Sequence, residues 1–404
     1  MALFRIVYRS LRQHALSTVI TSGSIALASG LLMSVWMVEA QSRQAFLATS
    51  TGFDAVLGAR GSKLQLVLNA IFDLEASPGN VSWADYQYVK HIPVVRTAIP
   101  IAVGDNLRGY RIVGTVPELF TGVQIAPGKK FAVEAGGRLF DPDAKEAVIG
   151  NFAARKLGLK VGDTFHPFHG LAYSASGGND QHPDLFTVTG ILEPTNSPAD
   201  RVVWIPLHAL QTMTGHDPKY ATDVSAILLQ FSSPLAGFRL DTMYNKQGDR
   251  LTLAYPVSAI IADLFSRISW FDRVLTLIAY LVALVAAGSV LASIYNSMSA
   301  RQRDLAILRA LGARRHTVFG AVVAEAAAIG FLGAMAGFAF YFALLAVVAG
   351  IVREQTGVVI DILAWQQILW IWPLVMVALC ALGGIVPAFK AYRTPVAETL
   401  APVS

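Results

Sequence analysis

The chain has 404 residues, of which 54% are hydrophobic and 15% charged, with a mean hydropathy of +0.50. That balance excludes a purely soluble protein, and the single cysteine, Cys380, excludes an intramolecular disulfide and any cysteine-based zinc site. The net charge of +5 suggests a nucleic-acid partner only until the charges are located along the chain.

Residues 2 to 12 place Leu3, Phe4, Val7 and Leu11 on one helical face and Arg5, Arg9 and Arg12 on the opposite one. This pattern predicts a helix lying in the membrane interface and leading into a span. Four stretches are long and apolar enough for a hydrocarbon core of roughly 30 Å, which takes about 20 helical residues. They are Ser17 to Val38, Val274 to Ile294, Val318 to Val352 and Ile368 to Phe389. The third exceeds the minimum and is expected to tilt or project beyond the bilayer. Val38-Glu39-Ala40 loosely fits a signal-peptide cut, but the apolar run is too long and Glu39 sits awkwardly beside the cut, so the first stretch reads as an anchor.

Residues 40 to 268 read as a soluble mixed α/β domain inserted between the first two spans. Gly61 to Glu75 carries Leu64, Val67, Leu68 and Ile71 on a helical stripe, and Ser82 to His91 is a second helix with Ser82 as its N-cap. Strand-like runs follow at Arg96 to Val103, Tyr110 to Val116, Ala147 to Ile149, Leu185 to Leu192, Val202 to Pro206 and Val224 to Phe231, with a short helix at Asn151 to Leu157. A β-rich insert occupies about residues 136 to 215. Gly122 to Lys130 has the look of a phosphate-binding loop, yet it has five residues between its glycines instead of four, and Lys130 stands where Ser or Thr would hold magnesium. It reads as a surface turn. No HExxH, GxSxG or GxGxxG occurs, so if ATP is used, another chain binds it.

His166, His169 and His182 fall within 17 residues, with Asp180 and Asp184 nearby in a Gly/Ser-rich loop. Imidazole and carboxylate suit zinc or a similar divalent ion. The spacing matches no standard site, and a flexible polar loop with solvated histidines accounts for the same residues.

Short cytoplasmic loops gather Lys and Arg, and here the positive excess lies in three such pieces: Arg5 to Arg12, Arg301 to Arg315, and the tail from Lys390. The domain between residues 40 and 268 has 20 basic and 20 acidic residues. Both termini are therefore expected in the cytoplasm and the large domain outside, with no nucleic-acid partner needed. Ser299 to Arg315 is predicted to continue the second span as a helix with Leu305, Leu308 and Leu311 on one face, stopping at Gly312. Such a helix suits lipid headgroups or a groove on a cytoplasmic partner. Glu325 is the only carboxylate well inside a span; one isolated acid makes no proton relay, so it is assigned to helix packing. Gly330, Gly333 and Gly337 flatten one face of the same helix for close approach.

RQRDLAILRALGARR (Arg301 to Arg315), followed by Glu325 and Gly330 to Gly337, resembles the cytoplasmic signature of MacB/FtsX-type ABC transporter permeases. The tail PAFKAYRTPVAETL (Pro387 to Leu400) is similar to the closing motif of that family. EAVIGNFAARKLGLKVGDTF (Glu146 to Phe165) and VTGILEPTNSPADRVVWIPL (Val188 to Leu207) look like its β-rich insert. The resemblance implies an α-helical membrane protein with four transmembrane helices and a large extracytoplasmic α/β domain between helices 1 and 2. Its parts would be residues 1–39 (elbow helix and first span), 40–268 (periplasmic domain) and 269–404 (three spans with a coupling segment at 297–316).

By the same resemblance, the chain would be a permease of the bacterial inner membrane, not itself an enzyme. It would act as a homodimer with two copies of a cytoplasmic ATPase that hold ATP and magnesium, and with membrane lipid and a periplasmic partner or lipoprotein. ATP-driven closure would pass through Arg301, Arg303, Asp304, Leu305, Leu308, Arg309 and Gly312 to the outer domain, for export or envelope mechanotransmission. The His-bearing loop departs from the family pattern, which keeps open a zinc-linked envelope system. A signalling or scaffold protein that regulates an envelope enzyme is a further alternative.

Overall fold

The computed structural model describes residues 2–49, 52–126, 128–300, 313–356 and 359–393. It divides into two compact units, one of Met1–Gln41, Ser269–Gly350 and Asp361–Ser404, the other of Ser42–Ile268 with Ile351–Ile360.

The chain opens with α1 (Ala2–Gln13), whose Val7 and Ser10 are buried while Phe4 and Tyr8 face outward. It continues into α2 (Ala15–Thr49).

The unit of Ser42–Ile268, termed the outer unit, then begins with β1 (Ala55–Ala59), α3 (Lys63–Ala70), α4 (Trp83–Lys90), the long β2 (Val95–Leu107) and β3 (Tyr110–Thr115). Next come α5 (Glu118–Gly122) and the hairpin of β4 (Gln124–Ala126) and β5 (Lys129–Lys130). After these follow β6 (Glu146–Ile149), α6 (Asn151–Leu157), β7 (Thr164–Phe165), β8 (Phe168–His169), β9 (Phe186–Ile191), β10 (Val203–Pro206) and α7 (Leu207–Gln211). The unit closes with β11 (Ala226–Phe231), α8 (Pro234–Asp241) and β12 (Leu251–Ala254). Apart from the β4–β5 hairpin, the strands form one mixed sheet in the order β12-β1-β11-β2-β3-β10-β6-β9-β7, with β8 pairing on β2. The β3–β10 and β6–β9 pairs are parallel and the remaining pairs antiparallel.

Successive side chains of a strand point to opposite faces, and this sheet buries both. Leu57, Ile112, Ile149, Val203, Ile205, Ile227 and Leu229 pack on one side, while Val56, Val113, Val148, Trp204 and Leu228 pack on the other. Strands covered on both faces lose polar alternation and read as continuous apolar runs. The β1 strand was not foreseen because AVLGA is short and rich in small residues; β7 and β8 are only two residues each.

α4 begins where Ser82 caps it, its Oγ accepting from Asp85 N at 3.2 Å. α3 is shorter than the Gly61 to Glu75 stripe suggested. Beyond Ile71 the chain turns, Asp73 adopts φ 55°, and Asn69 Nδ2 donates to the Glu75 carbonyl at 2.6 Å.

α9 (Val257–Ala300), α10 (Arg315–Thr356) and α11 (Ile368–Arg393) complete the chain. Among the described residues three helical stretches are long and apolar enough to cross a membrane: Ala15–Gln41, Arg315–Gln355 and Ile368–Phe389. Arg273–Ser289, within α9, is a shorter apolar stretch. The last turns of α10, from Ile351, belong to the outer unit; there Glu354 lies 2.5 Å from Lys156 and Arg353 stacks over Phe152. In the other unit, Gln41 and Asp361 exchange a reciprocal pair of hydrogen bonds at 2.8 and 2.7 Å, tying the approach to α11 onto α2.

Candidate functional site

The residues assigned to ATPase coupling, Arg301, Arg303, Asp304, Leu305, Leu308, Arg309 and Gly312, lie outside the described residues. Gly330, Gly333 and Gly337 of α10 are described, and each sits against another helix. A Cβ built on Gly333 would lie 2.6 Å from Ile25 Cβ, one on Gly337 would lie 3.0 Å from Ser29 Cβ, and one on Gly330 would lie 2.8 Å from Cys380 Cβ. Glu325 accepts a hydrogen bond from Ser10 Oγ. The loop-like run Gly122 to Lys130 contains the β4–β5 hairpin, and Lys130 Nζ donates to the Thr121 carbonyl at 2.6 Å.

The most concentrated chemistry is in the outer sheet. β2 carries a bulge between Val103 and Asp105, where Gly104 is the additional residue. A bulge re-aims the next side chain, and Asp105 is wholly buried. β8 pairs with β2 so that His169 stands directly opposite Asp105. His182 is anchored beside it because its N–H donates to the Pro167 carbonyl at 2.9 Å and Phe168 bridges to Gln181. The fourth member, His216, enters from the turn after α7. There Gly215 takes φ +99° beside the His182 ring, at ordinary contact distance from it. Only glycine adopts that backbone without strain.

The ligand-capable atoms of Asp105, His169, His182 and His216 all lie within 4.8 Å of one another. His182 Nε2 is 3.1 Å and His169 Nδ1 3.5 Å from Asp105 Oδ1. His216 Nε2 is 3.2 Å from Oδ2, which nonetheless accepts no hydrogen bond. His169 Nδ1 and His182 Nε2 are 3.3 Å apart.

Around this inner set the backbone fixes the rings. His182 Nδ1 lies 2.7 Å from the Thr214 carbonyl and His216 Nδ1 lies 3.0 Å from the Leu210 carbonyl. The Thr214 turn is clamped in its turn by Asp184, whose Oδ2 accepts from Thr214 N at 2.9 Å and whose other oxygen is paired with Lys145. Hydrogen bonding to Asp105 raises His216 above the ordinary imidazole value, against the opposing effect of burial. For Asp184, burial opposes ionisation but is outweighed by Lys145 and Thr214, and its carboxyl is held below the usual carboxylate range.

Of the three histidines singled out in the sequence, the fold brings together His169 and His182. His166 lies apart from them, its Nδ1 2.9 Å from the Asp184 carbonyl. Asp105 and His216 were not foreseen. A Gly-Asp pair interrupting the apolar run of β2 was the available signal for the first, and a Gly-His pair in a turn for the second.

A separate cavity of about 200 Å³ is lined by Phe53, Asp73, Lys129, Phe131 and Trp204, among others. Drug-sized ligands fill about 300–1,000 Å³, so this cavity suits a smaller group. Burial pushes the Asp73 carboxyl up to about 6 against the pull of Arg111 and Arg201, although the residue keeps part of its surface exposed.

Residues 18–236 match the family described as MacB-like periplasmic core domain, and residues 276–396 match the FtsX-like permease C-terminal family. Among solved structures, the periplasmic region of MacB from Actinobacillus actinomycetemcomitans is 12% identical, with a TM-score of 0.35, over 54% of this chain and 95% of that one. The extracellular domain of the noncanonic ABC-type transporter YknZ from Gram-positive bacteria is 16% identical, with a TM-score of 0.31, over 49% of this chain and 97% of that one. Among curated proteins none matches.

Proposed function

This chain belongs to the MacB/FtsX-like permease family, and from that membership we propose that it is the membrane subunit of an ABC transporter, coupling ATP hydrolysis by a separate ATPase to movement of its outer domain. Export, or mechanical work on the envelope, follows from that coupling. The observation that carries the reading is that one chain matches both the outer domain and the C-terminal helical region of the family.

In this reading the apolar stretch within α9 is the second of four spans, both termini are cytoplasmic and the outer domain is periplasmic. Charge placement supports that orientation, since the positive excess sits in the N-terminal helix, the Arg301 to Arg315 segment and the tail. Two permease chains engage two ATPase subunits through residues 297–316, and the ATPases hold the ATP and magnesium.

The test is co-purification with the ATPase. A buried Leu contributes about 1.5–3 kcal/mol, and an unpaired buried charge costs more than that contribution. Replacing Leu305 and Leu308 together with Asp is therefore expected to abolish recovery of the ATPase, in a chain that still inserts and folds. Undiminished recovery refutes the coupling assignment. The purified chain alone is expected to hydrolyse no ATP above a detergent control, and hydrolysis would overturn the division of labour.

A further inference from the structure

We propose that Asp105, His169, His182 and His216 form a binding site for a divalent transition-metal ion, zinc by their ligand chemistry, on the outer domain. The proposal does not depend on coupling to an ATPase.

The tautomers carry the first step. A backbone carbonyl only accepts, so the Nδ1 atoms of His182 and His216, facing Thr214 and Leu210 at 2.7 and 3.0 Å, carry the hydrogens. In each neutral ring the other nitrogen, Nε2, then presents a lone pair, and both are aimed at the Asp105 carboxylate, at 3.1 and 3.2 Å. A carboxylate also only accepts. His169 adds a third nitrogen 3.3 Å from His182 Nε2. With a hydrogen on Nε2 as well, these two rings donate to Asp105; as neutral rings their converging lone pairs repel unless a cation lies between them. A dication bound by three neutral rings and one carboxylate satisfies all of these atoms at once.

Spacing is the second step. A tetrahedral ion with bonds of about 2.0–2.1 Å holds its ligand atoms about 3.3 Å apart. The separations among Asp105, His169 and His182 are 3.1, 3.3 and 3.5 Å. Three imidazoles with one carboxylate suit zinc and its neighbours rather than magnesium or calcium, which take oxygen ligands.

Orientation is the third. Metal-bound histidines donate their second nitrogen to a carbonyl or carboxylate, and His182 and His216 do so here. The Lys145–Asp184–Thr214 chain fixes one of those carbonyls. The bulge at Gly104 and the positive-φ turn at Gly215 lie next to Asp105 and His216, the two members of the set that come from outside the 166–184 loop. His169 is 52% exposed while Asp105 is 0% exposed, so an ion reaches the site from solvent on the His169 side and stays exchangeable.

The experiment uses the purified full-length chain in detergent, stripped with a chelator and titrated with zinc against a chromophoric chelator. One zinc per chain is expected. His169→Ala, at the exposed ligand and so least disturbing to the core, should lower zinc affinity at least about ten-fold, since even outer-shell partners shift it about 10–100-fold. His216→Ala should do the same, and His166→Ala should leave affinity unchanged. Zinc should raise the melting temperature of the wild type and not that of His169→Ala. Zinc well below one per chain in the wild type, or equal affinity in wild type and His169→Ala, overturns the site.

Discussion

The outer unit and the membrane unit use the same apolar residues to opposite ends. In the outer sheet, large side chains are buried on both faces, Leu57, Ile149 and Phe186 on one and Ile99 and Val148 on the other. In the helices, small residues open the closest contacts, with some large side chains such as Tyr341 and Met33 buried beside them: Gly333 and Gly337 meet Ile25 and Ser29, and Gly30 meets the carbonyl of Gly337. Large residues of those helices, such as Leu382 and Trp370, face outward. Water drives the first arrangement, whereas lipid tails are as apolar as leucine and leave close packing to hold helices together. An exposed leucine therefore means something different in each unit.

Substituting exposed leucines with aspartate separates the two environments most sharply. Leu382 in α11 is 60% exposed and Leu235 in α8 is 73% exposed. If the surroundings of α11 are lipid, Leu382→Asp should cost about 2.5–3.5 kcal/mol in insertion, read as lost membrane-integrated protein. Leu235→Asp should change the melting temperature little, as surface substitutions usually stay within about 0.5 kcal/mol. Equal, small effects at both positions would remove the membrane assignment of α11.

The next effect tests close packing. Gly333→Val places a branched side chain where a Cβ already lies 2.6 Å from Ile25, and overpacking costs about 1–3 kcal/mol. Gly288→Val in α9 meets nothing within 4 Å and is the control. Thermal stability in detergent should fall for the first and hold for the second, whereas equal stability would show that the α2–α10 contact is loose.

What was legible in the sequence follows the same division. Long apolar runs identify α2, α10 and α11 because bilayer thickness sets a length that few other structures need. In the outer domain, the run from Tyr110 and that from Val224 were readable as strands, since both are bounded by turns and rich in branched residues. The order of strands in the sheet was not, because β2 joins β11 through a pairing that spans more than a hundred residues, and β8 through one that spans about sixty. The histidine cluster shows the cost. His169 and His182 are close in sequence, but Asp105 and His216 reach them only through a β-bulge and a glycine turn. His166, a near neighbour in sequence, is directed elsewhere by the Asp184 carbonyl.

The smallest effect concerns a polar group that the outer domain tolerates at a cost. Asp73 lines the cavity beside Trp204, and burial lifts its carboxyl from 3.8 to about 6 despite Arg111 and Arg201. A raised acid pKa means that between about pH 4 and 6 the folded chain binds more protons than the unfolded one, so stability falls as pH rises through that window. Two pKa units correspond to at most about 3 kcal/mol, and partial exposure of the residue reduces this to about 1–2 kcal/mol. Asp73→Asn removes the titration while keeping a residue that accepts the observed φ of 55°. The variant should melt higher than the wild type at pH 7.5, match it near pH 4, and show a flatter profile between. A loss of stability at pH 7.5 would mean that the two arginines outweigh desolvation, and that Asp73 is a paired charge rather than a strained one.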